Sequence, residues 1–263
     1  MVYLNKNDGK IKNCQAKEYT KGKGRFYRGC EYESGDVEFY QIDDLIIQFD
    51  LFCEFMGYWL SDGSTMSNSG VVISQQEGEI VDCINRMGFE PHLEKQKVVF
   101  YNTTIRNYLK IFGRCINKFV PYVIKNASKR QIRIFLDAFV LCDGYKRPCR
   151  SFIGNHGNEF KSDKDEIIYF TTSERMAGDL SELILKSGHR PSFSINKAGV
   201  SHKANGPIIK SNYDCYSIRE CYSVTSSVFN KEIQHYDGLV YDLTLERNHI
   251  MYIRRNGKCF WGS

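Results

Sequence analysis

The chain has 263 residues, of which 42% are hydrophobic and 25% are charged, and its formal net charge is only +5. This balance is typical of a folded protein with a hydrophobic core, and it excludes disorder or low complexity as a description of the whole chain. The length is sufficient for one large domain or two of ordinary size.

Ten cysteines are spread along the chain. None of them forms a C-x-x-C pair or a Cys/His grouping with the spacing of zinc ligands. The N-terminus lacks the apolar segment of a signal peptide, and no stretch approaches the roughly 18 apolar residues of a membrane span. We therefore predict an intracellular protein with free thiols and no membrane association.

The N-terminal part shows short apolar–polar alternations broken by glycines, which predict β-strands and turns up to about residue 45. Residues 6–28 carry eight Lys/Arg and two acidic residues, a local net charge of +6. A helical pattern follows, and it ends at Asp62-Gly63. Its apolar face consists of Phe52, Phe55, Met56, Trp59 and Leu60. Gly57 and Ser61 are small residues four positions apart on another side of this helix.

After this helix the patterns predict a strand at 71–74, a helix ending at Gly88, and strands around 92–101. The same order then recurs. Ser128 begins a second helix as part of a capping box, and this helix ends at Asp143-Gly144. Its apolar face consists of Ile132, Phe135, Leu136, Phe139 and Val140, and its small residues four positions apart are Ala138 and Cys142.

A strand at 167–171, a helix that Ser173 caps and that ends at Gly188, and a strand at 192–196 complete the second copy. This copy is 19 residues longer than the first, and most of the addition falls in residues 145–164. An internal repeat of this kind is evidence about the whole fold, because each copy is expected to form the same unit.

The two helices can pack closely, because small residues at i and i+4 leave no side chain to hold the backbones apart. Parallel packing about a pseudo-twofold axis would bring Asp62 and Asp143 together at one end. Two crowded carboxylates raise each other's pKa, and a divalent cation such as Mg²⁺ removes the conflict. Such a site can stabilise the attacking and leaving oxygens of phosphodiester cleavage. For either helix alone, an ordinary core helix with a glycine cap is the better explanation of the pattern, whereas two matched copies favour the paired site.

Two segments carry a family resemblance. Residues 55–63 (FMGYWLSDG) and 136–144 (LDAFVLCDG) resemble the two copies of the LAGLIDADG motif of homing endonucleases, and their aspartates are 81 residues apart, which suits the single-chain form. Ala138 stands where the motif usually has Gly, and Asp137 replaces a small residue.

The resemblance implies an α+β fold with two pseudo-symmetric αββαββα halves, at 46–127 and 128–232, whose sheets form a saddle over double-stranded DNA. It implies that Asp62 and Asp143 are the catalytic acids and that they hold Mg²⁺ or Mn²⁺, with Gly63 and Gly144 as weaker metal-ligand candidates. The helix interface would consist of Gly57, Ser61, Ala138 and Cys142.

Residues 118–121 (KFVP) resemble a segment that intein-borne members carry before the second motif. The resemblance implies that Lys118 is a basic catalytic residue that orients water or stabilises phosphorane charge. The alternative is a solvated surface lysine. Lys197 and Lys231 are weaker candidates for its counterpart in the second half, and a single effective lysine is the other possibility.

The ends of the chain resemble parts of the Hint fold of inteins. Residues 239–249 (LVYDLTLERNH) resemble its late block, with Asp242 and His249 at the polar positions, and residues 7–12 and 16–18 resemble earlier strands. The ends at 1–45 and 233–263 would thus be Hint-like β regions, although His249 is alternatively only a structural residue. Splicing needs activated nucleophiles at both junctions. We see neither an N-terminal nucleophile block nor a terminal Asn, and so expect no autonomous splicing.

Two basic segments fall where the family places its DNA-facing strands and loops. Residues 145–164 carry a net charge of +3 and residues 189–210 a net charge of +4, and such groups neutralise phosphates. For any one residue a solvated loop is the better interpretation, whereas the combined basic charge favours DNA. Candidate base-reading residues are Gln75, Gln76, Arg147, Arg150, Asn155, His156 and Lys197.

From these patterns we predict a monomeric intein-type homing endonuclease that cleaves double-stranded DNA with Mg²⁺ or Mn²⁺. Residues 252–258 and 261–263 resemble the ends of some phage inteins, and this resemblance implies a location in the cytoplasm or nucleoid of a bacterial or phage-infected host. One alternative is a degenerate protein that binds DNA or assists RNA splicing without cleaving. The other is the C-terminal part of a split intein, which would splice with a separately encoded N-terminal piece.

Overall fold

A computed structural model shows a mixed α and β fold with antiparallel strand pairing. It describes residues 2–19, 24–75, 78–148, 151–153, 159–161, 164–202, 208–227, 232, 234–239, 241, 243–245, 250–255 and 258–262. Within these ranges, no helix combines the length and the apolar character that crossing a lipid bilayer requires. Six of the described cysteines are free thiols, namely Cys30, Cys53, Cys83, Cys115, Cys215 and Cys221.

The N-terminal part forms short strands before the first helix. These are β1 (Val2–Asn5), β2 (Ile11–Asn13), β3 (Gly24–Tyr27), β4 (Phe39–Ile42) and β5 (Leu45–Gln48). The β4–β5 hairpin leads directly into helix α1 (Phe49–Asp62). Most side chains of α1 are buried, because the helix is apolar on more than one side and lies at the centre of the core.

The first sheet follows α1. Its elements are β6 (Gly63–Thr65), β7 (Gly70–Ile73), α2 (Gly78–Arg86), β8 (His92–Glu94) and β9 (Lys97–Tyr101). The strands pair in the order β6-β7-β9-β8, and every pair is antiparallel. Alternate residues of β7 and β9, namely Val71, Ile73, Val98 and Phe100, belong to the core beneath the sheet.

A helical linker connects this sheet to the second long helix. It contains α3 (Thr103–Lys110), a 3₁₀ turn at Cys115–Asn117 and α4 (Tyr122–Lys125), and it leads into α5 (Lys129–Asp143). The predicted N-cap of α5 is present, since the Ser128 side chain accepts a hydrogen bond from Gln131 N at 3.2 Å. Buried Asp179 anchors the linker by accepting from Val120 N at 2.9 Å and pairing with Lys125 Nζ at 3.1 Å.

The second sheet follows α5. Its segment contains β10 (Gly144–Arg147), β11 (Ser151–Ile153), β12 (Glu159–Lys161), β13 (Glu166–Thr171), α6 (Glu174–Lys186), β14 (Arg190–Asn196), β15 (Gly199–His202), β16 (Ile208–Ser211) and β17 (Cys215–Cys221). The sheet order is β10-β13-β17-β14, again antiparallel. If the four strands of each sheet are numbered in chain order, both sheets have the same spatial order: first, second, fourth, third. The β11–β12 hairpin lies inside the predicted insertion at 145–164.

The last strands return to the first ones. They are β18 (Thr225–Ser226), β19 (Met251–Arg255) and β20 (Lys258–Gly262). β18 pairs with β3 in a sheet of order β18-β3-β1-β2. Trp261 Nε1 of the β19–β20 hairpin donates to Gly29 O at 2.8 Å, and Tyr252 OH donates to Arg28 O at 3.2 Å. A cavity of about 840 Å³ lies between strands from the two ends of the chain.

Candidate active site

The site begins at the contact between helices α1 and α5. A Cβ added at Gly57 would lie 2.6 Å from Ala138 Cβ and 2.6 Å from Phe135 O. The two helix backbones are therefore as close as glycine permits at this point. Of the other two predicted interface residues, Ser61 donates to Tyr58 O at 2.7 Å and Cys142 is half-buried against the core.

Each helix ends in an aspartate followed by an extended glycine. A Cβ at Gly63 would lie 2.3 Å from Trp59 O, and one at Gly144 would lie 2.3 Å from Val140 Cγ2. Both glycines have negative φ values, −90° and −145°, which other residues can also adopt. Glycine is therefore required because there is no room for a Cβ, and not because of a left-handed backbone. The chain passes from helix to strand without a loop, and this leaves Asp62 and Asp143 at the two junctions.

The two carboxylates influence each other. Burial, and after it the charge of Asp62, raise the pKa of Asp143 to about 6, while the charge of Lys118 opposes them. The side chain of Gln75, just after β7, donates from Nε2 to Asp62 Oδ2 at 2.7 Å. Gln75, predicted to read bases, thus contacts a predicted catalytic carboxylate.

Lys118 is buried at the end of α1. Its Nζ donates to three carbonyl oxygens, Trp59 O at 2.9 Å, Ser61 O at 3.4 Å and Gly63 O at 2.8 Å. Burial lowers the pKa of Lys118 to about 8, while the charges of Asp62 and Asp143 oppose that shift. The structure therefore places Lys118 close to both aspartates, and its ammonium binds carbonyl oxygens at and just beyond the end of α1.

A small cavity opens beside this group. It has a volume of about 110 Å³, and Lys118 and Asp143 are among its lining residues. No sequence pattern indicated the other residues of this lining, because their positions depend on strand register and on the 3₁₀ turn. These residues include Cys115, Phe170, Thr171, Thr172 and Cys215.

The donor set fits a hard divalent cation that takes its other ligands from water and substrate. In the described part of the chain, no cluster of three or more His, Cys, Asp or Glu residues could by itself hold a metal ion. Mg²⁺ is commonly bound by one or two carboxylates together with waters and phosphates. The pKa of Asp143 is raised first by burial and then by the charge of Asp62, and a cation would relieve both effects. Gly63 O, a predicted ligand, accepts from Lys118, and Gly144 pairs with Tyr169 in the sheet.

The remaining predicted residues lie away from this centre or outside the described ranges. Arg147 on β10 pairs with Glu166, and Lys197 pairs with Asp214 Oδ2 at 2.7 Å on an exposed edge. The described contacts of Lys197 include neither Asp62 nor Asp143. Predicted residues outside the described ranges are Gln76, Arg150, Asn155, His156, Lys231, Asp242 and His249.

Sequence comparison finds two relatives and no matching family profile. The chain is 26% identical over 162 residues to the ATP-dependent Clp protease proteolytic subunit of Chlamydomonas moewusii, a match that covers 55% of this chain and 15% of that protein. It is 22% identical over 264 residues to the DNA-directed RNA polymerase subunit beta C-terminal section of Stigeoclonium helveticum, covering 84% and 24% respectively. The chain spans about a quarter or less of the length of these relatives.

Among solved structures, the neighbours include the homing endonuclease I-DmoI. Mesophilic variants of that enzyme give a TM-score of 0.39 at 9% identity and cover 65% of this chain and 89% of theirs. A crystal structure of I-DmoI in complex with DNA and Mn gives a TM-score of 0.38 at the same identity and coverage. At these values the likeness alone assigns no activity.

Proposed function

We propose that this chain is a homing endonuclease of the LAGLIDADG type that cleaves double-stranded DNA with a divalent metal ion. One observation carries the proposal: Asp62 and Asp143 end two helices in direct contact, lie close enough to affect each other electrostatically, and share the buried Lys118. Paired carboxylates and a cationic side chain are groups suited to phosphodiester hydrolysis.

Asp62 and Asp143 would hold Mg²⁺ or Mn²⁺, which supplies charge neutralisation of a phosphate and a more acidic water. The residues of the chain set the geometry. Gln75 fixes the orientation of the Asp62 carboxylate, and the extended Gly63 and Gly144 place both acids at the start of a sheet. Lys118, held by three carbonyls, adds a fixed positive charge near the reacting phosphate.

The two sheets are the proposed DNA-binding surface. Each begins directly after one of the aspartates, and the two share one strand order, which supports a pseudo-twofold pair of halves over a roughly twofold duplex. On the second sheet, the face turned from the core carries exposed polar residues on β14, namely Ser192, Ser194 and Asn196. Side chains of this kind contact phosphates and base edges.

The intein-type origin is the second part of the proposal. The matched relatives are a protease subunit and a polymerase subunit, and the chain corresponds to a minor part of each. A mobile segment carried inside unrelated host proteins explains this pattern. The pairing of β18 with β3 and the contact of Trp261 with Gly29 support it, because an insert is best tolerated when its ends lie together.

Conservative amide variants test the nuclease. Purified chain is incubated with Mg²⁺ and a randomised duplex library, cleaved molecules are recovered, and the selected site is assayed with Asp62→Asn and Asp143→Asn. We expect each variant to lose at least about 100-fold in double-strand cleavage and to bind the site within a few-fold of wild type. The exposed Asp137→Asn, on the same helix as Asp143, should cut normally.

Retained cleavage in the variant that carries both Asn substitutions would show that the two aspartates are not catalytic. Binding without any cleavage under Mg²⁺ or Mn²⁺ would favour the degenerate DNA-binding alternative. Sequencing the genomic flanks tests the origin: a reading frame continuous with host-protein sequence on both sides supports an insert. We call strands β1, β2, β3, β18, β19 and β20 the outer β unit. A break in the reading frame at this unit, with the missing piece encoded elsewhere, would favour the split intein.

A further inference from the structure

Three charged residues meet on neighbouring strands of the second sheet. Arg147 Nη2 of β10 lies 2.5 Å from Glu166 Oε2 of β13, and Arg219 Nη2 of β17 lies 3.1 Å from Glu166 Oε1. One carboxylate therefore bridges two guanidinium groups. The side chains of Arg147, Glu166 and Arg219 are 40%, 24% and 55% exposed, so the group is accessible from solvent.

Strand register places the group on the face turned away from the core. Arg147 is directly opposite Glu166, and Arg219 is opposite Ile168, which shares the face of Glu166. The residues between them, Ile167 and Ile218, belong to the core. The outward face is the surface to which the proposed function assigns the duplex.

The bridge fixes both guanidinium groups in place. The two arginines are on the strands that flank β13. Their like charges repel each other, and Glu166 cancels part of that repulsion while it restricts their rotamers. A guanidinium carries five N–H donors, and the described ion pair of each arginine uses one nitrogen. The Arg147 guanidinium also lies 5.9 Å from the centre of the Tyr145 ring, which restrains it on a further side.

We propose that Arg147, Glu166 and Arg219 form a base-reading group that selects a G·C pair in the major groove. This inference rests on the proposed function and names one feature of its target. An arginine held in place can donate two hydrogen bonds to guanine O6 and N7, and a carboxylate beside it can accept from cytosine N4. Glu166 acts as a positioning residue for both arginines and disfavours a phosphate in the same place.

Selection of bound DNA tests the proposal without cleavage. The full chain, without divalent metal, selects from a randomised duplex library, and the bound sequences are compared for wild type, Arg147→Ala, Arg219→Ala and Glu166→Gln. We expect wild type to enrich G·C at one or two positions. Each arginine variant should lose about a 10-fold preference at one of those positions, within the usual range for a bidentate contact, and keep the rest of the profile. Glu166→Gln should weaken the preference at each position that wild type enriches.

Two further variants control for charge and folding. Arg86→Ala removes an arginine that is equally exposed, at 55%, and paired with Glu54 at 2.7 Å on the helical side of the first half, and it should leave the whole profile unchanged. Arg219→Lys keeps the charge and the fold but loses the bidentate donor, so it should bind within about threefold of wild type while losing the G·C preference.

The outcomes separate this inference from the proposed function. A wild-type chain that selects no sequence contradicts the proposed endonuclease itself. If wild type selects a clear sequence and both arginine variants select the same sequence with the same G·C preference, the base-reading group is wrong and the endonuclease proposal stands.

Discussion

Asp143 and Lys118 are ionisable groups in a part-buried site, and burial acts against the charged form of each. It raises the pKa of Asp143 to about 6 and lowers that of Lys118 to about 8. The charge of each group favours the charged form of the other and so opposes the effect of burial. At neutral pH Asp143 is therefore mostly ionised and Lys118 mostly protonated, and burying these two charges costs folding free energy.

Asp143→Asn is expected to raise the free energy of unfolding at pH 7.5 by ~1–3 kcal/mol and to change it little at pH 4. The pKa of about 6 in the folded protein exceeds the ordinary 3.8, so the folded state binds this proton more tightly. Its stability therefore falls as pH rises from about 4 to 6. Urea unfolding of both proteins at the two pH values measures the difference.

Asp137→Asn, an exposed change on the same helix, controls for the general loss of a carboxylate. A lower stability of Asp143→Asn at pH 7.5 would show that the carboxylate is not in conflict with its surroundings.

The sequence predicted the central residues of the candidate site better than their contacts. Two repeated helix ends and the KFVP segment indicated Asp62, Asp143 and Lys118, because these residues lie at fixed positions in local patterns. Gln75 could not be placed in the same way. Its contact with Asp62 depends on how β7 pairs with β6, and only the folded sheet determines that register.

Helices α1 and α5 pack so closely that one methyl group matters. Gly57→Ala would place a Cβ 2.6 Å from Ala138 Cβ, and we expect a loss of ~1–3 kcal/mol in unfolding free energy despite the better helix propensity of alanine. Chemical denaturation measures this loss. The double variant Gly57→Ala with Ala138→Gly should recover part of it, because it returns the space.

Gly78→Ala at the start of α2 is the matched control, since nothing lies within 4 Å of its added Cβ. A Gly57→Ala protein as stable as this control would mean that the helices can separate at little cost.

A buried charged cluster joins α5 to the second sheet. Arg133 Nη1 donates to Glu220 Oε1 at 2.7 Å, Tyr169 OH donates to Glu220 Oε2 at 2.8 Å, and His189 Nδ1 lies 2.5 Å from Glu220 Oε1. Burial alone would raise the pKa of Glu220, but its hydrogen bond with His189 and the charge and hydrogen bond of Arg133 overcome burial and hold it at about 2.

Glu220→Gln is expected to cost ~3–5 kcal/mol of stability at pH 7, because it removes the buried carboxylate that pairs with Arg133 and leaves that arginine the exposed Asp137, 3.4 Å from its Nε. The contribution of Glu220 is present above its ordinary pKa of 4.5 and is lost as pH falls towards 2. Wild type should therefore lose stability between pH 5 and pH 2 more steeply than the variant in urea unfolding. Glu94→Gln removes an exposed partner of Lys97 and should cost less than about 1 kcal/mol.

This cluster also explains an element that the sequence did not predict. The inward residues of β17 include Ile218 but also Glu220, so the apolar alternation that marks a strand is broken by a buried acid. In contrast, β13 alternates Ile167 and Tyr169 inward and was predicted at 167–171. A buried charged residue whose partners lie on other elements cannot be recognised from the local hydrophobic pattern.

At the scale of the whole molecule, the outer β unit is joined by contacts between residues more than 200 positions apart. Trp261→Phe removes the hydrogen bond from Nε1 to Gly29 O, which is 2.8 Å long. We expect faster hydrogen exchange in β3 and in the β19–β20 hairpin, and unchanged exchange in α1 and α5, by mass spectrometry. Tyr236→Phe, which removes an exposed hydroxyl bonded to Leu239 O, should leave both regions unchanged.

Faster exchange in the helix pair of the Trp261→Phe protein would contradict the separation of the two regions. Unchanged exchange in the hairpin would show that other contacts hold the ends together.

The strand pair β3–β18 has a consequence for how such a chain could arise. Arg28 N donates to Val224 O at 2.8 Å, and Tyr27 is opposite Thr225. Everything between these residues, including both aspartates, leaves and re-enters the outer unit through one pair of adjacent strands. A turn of a few residues could bridge the same gap, so a gene could acquire or discard the whole segment that carries the candidate site at this junction while the surrounding strands keep their pairing.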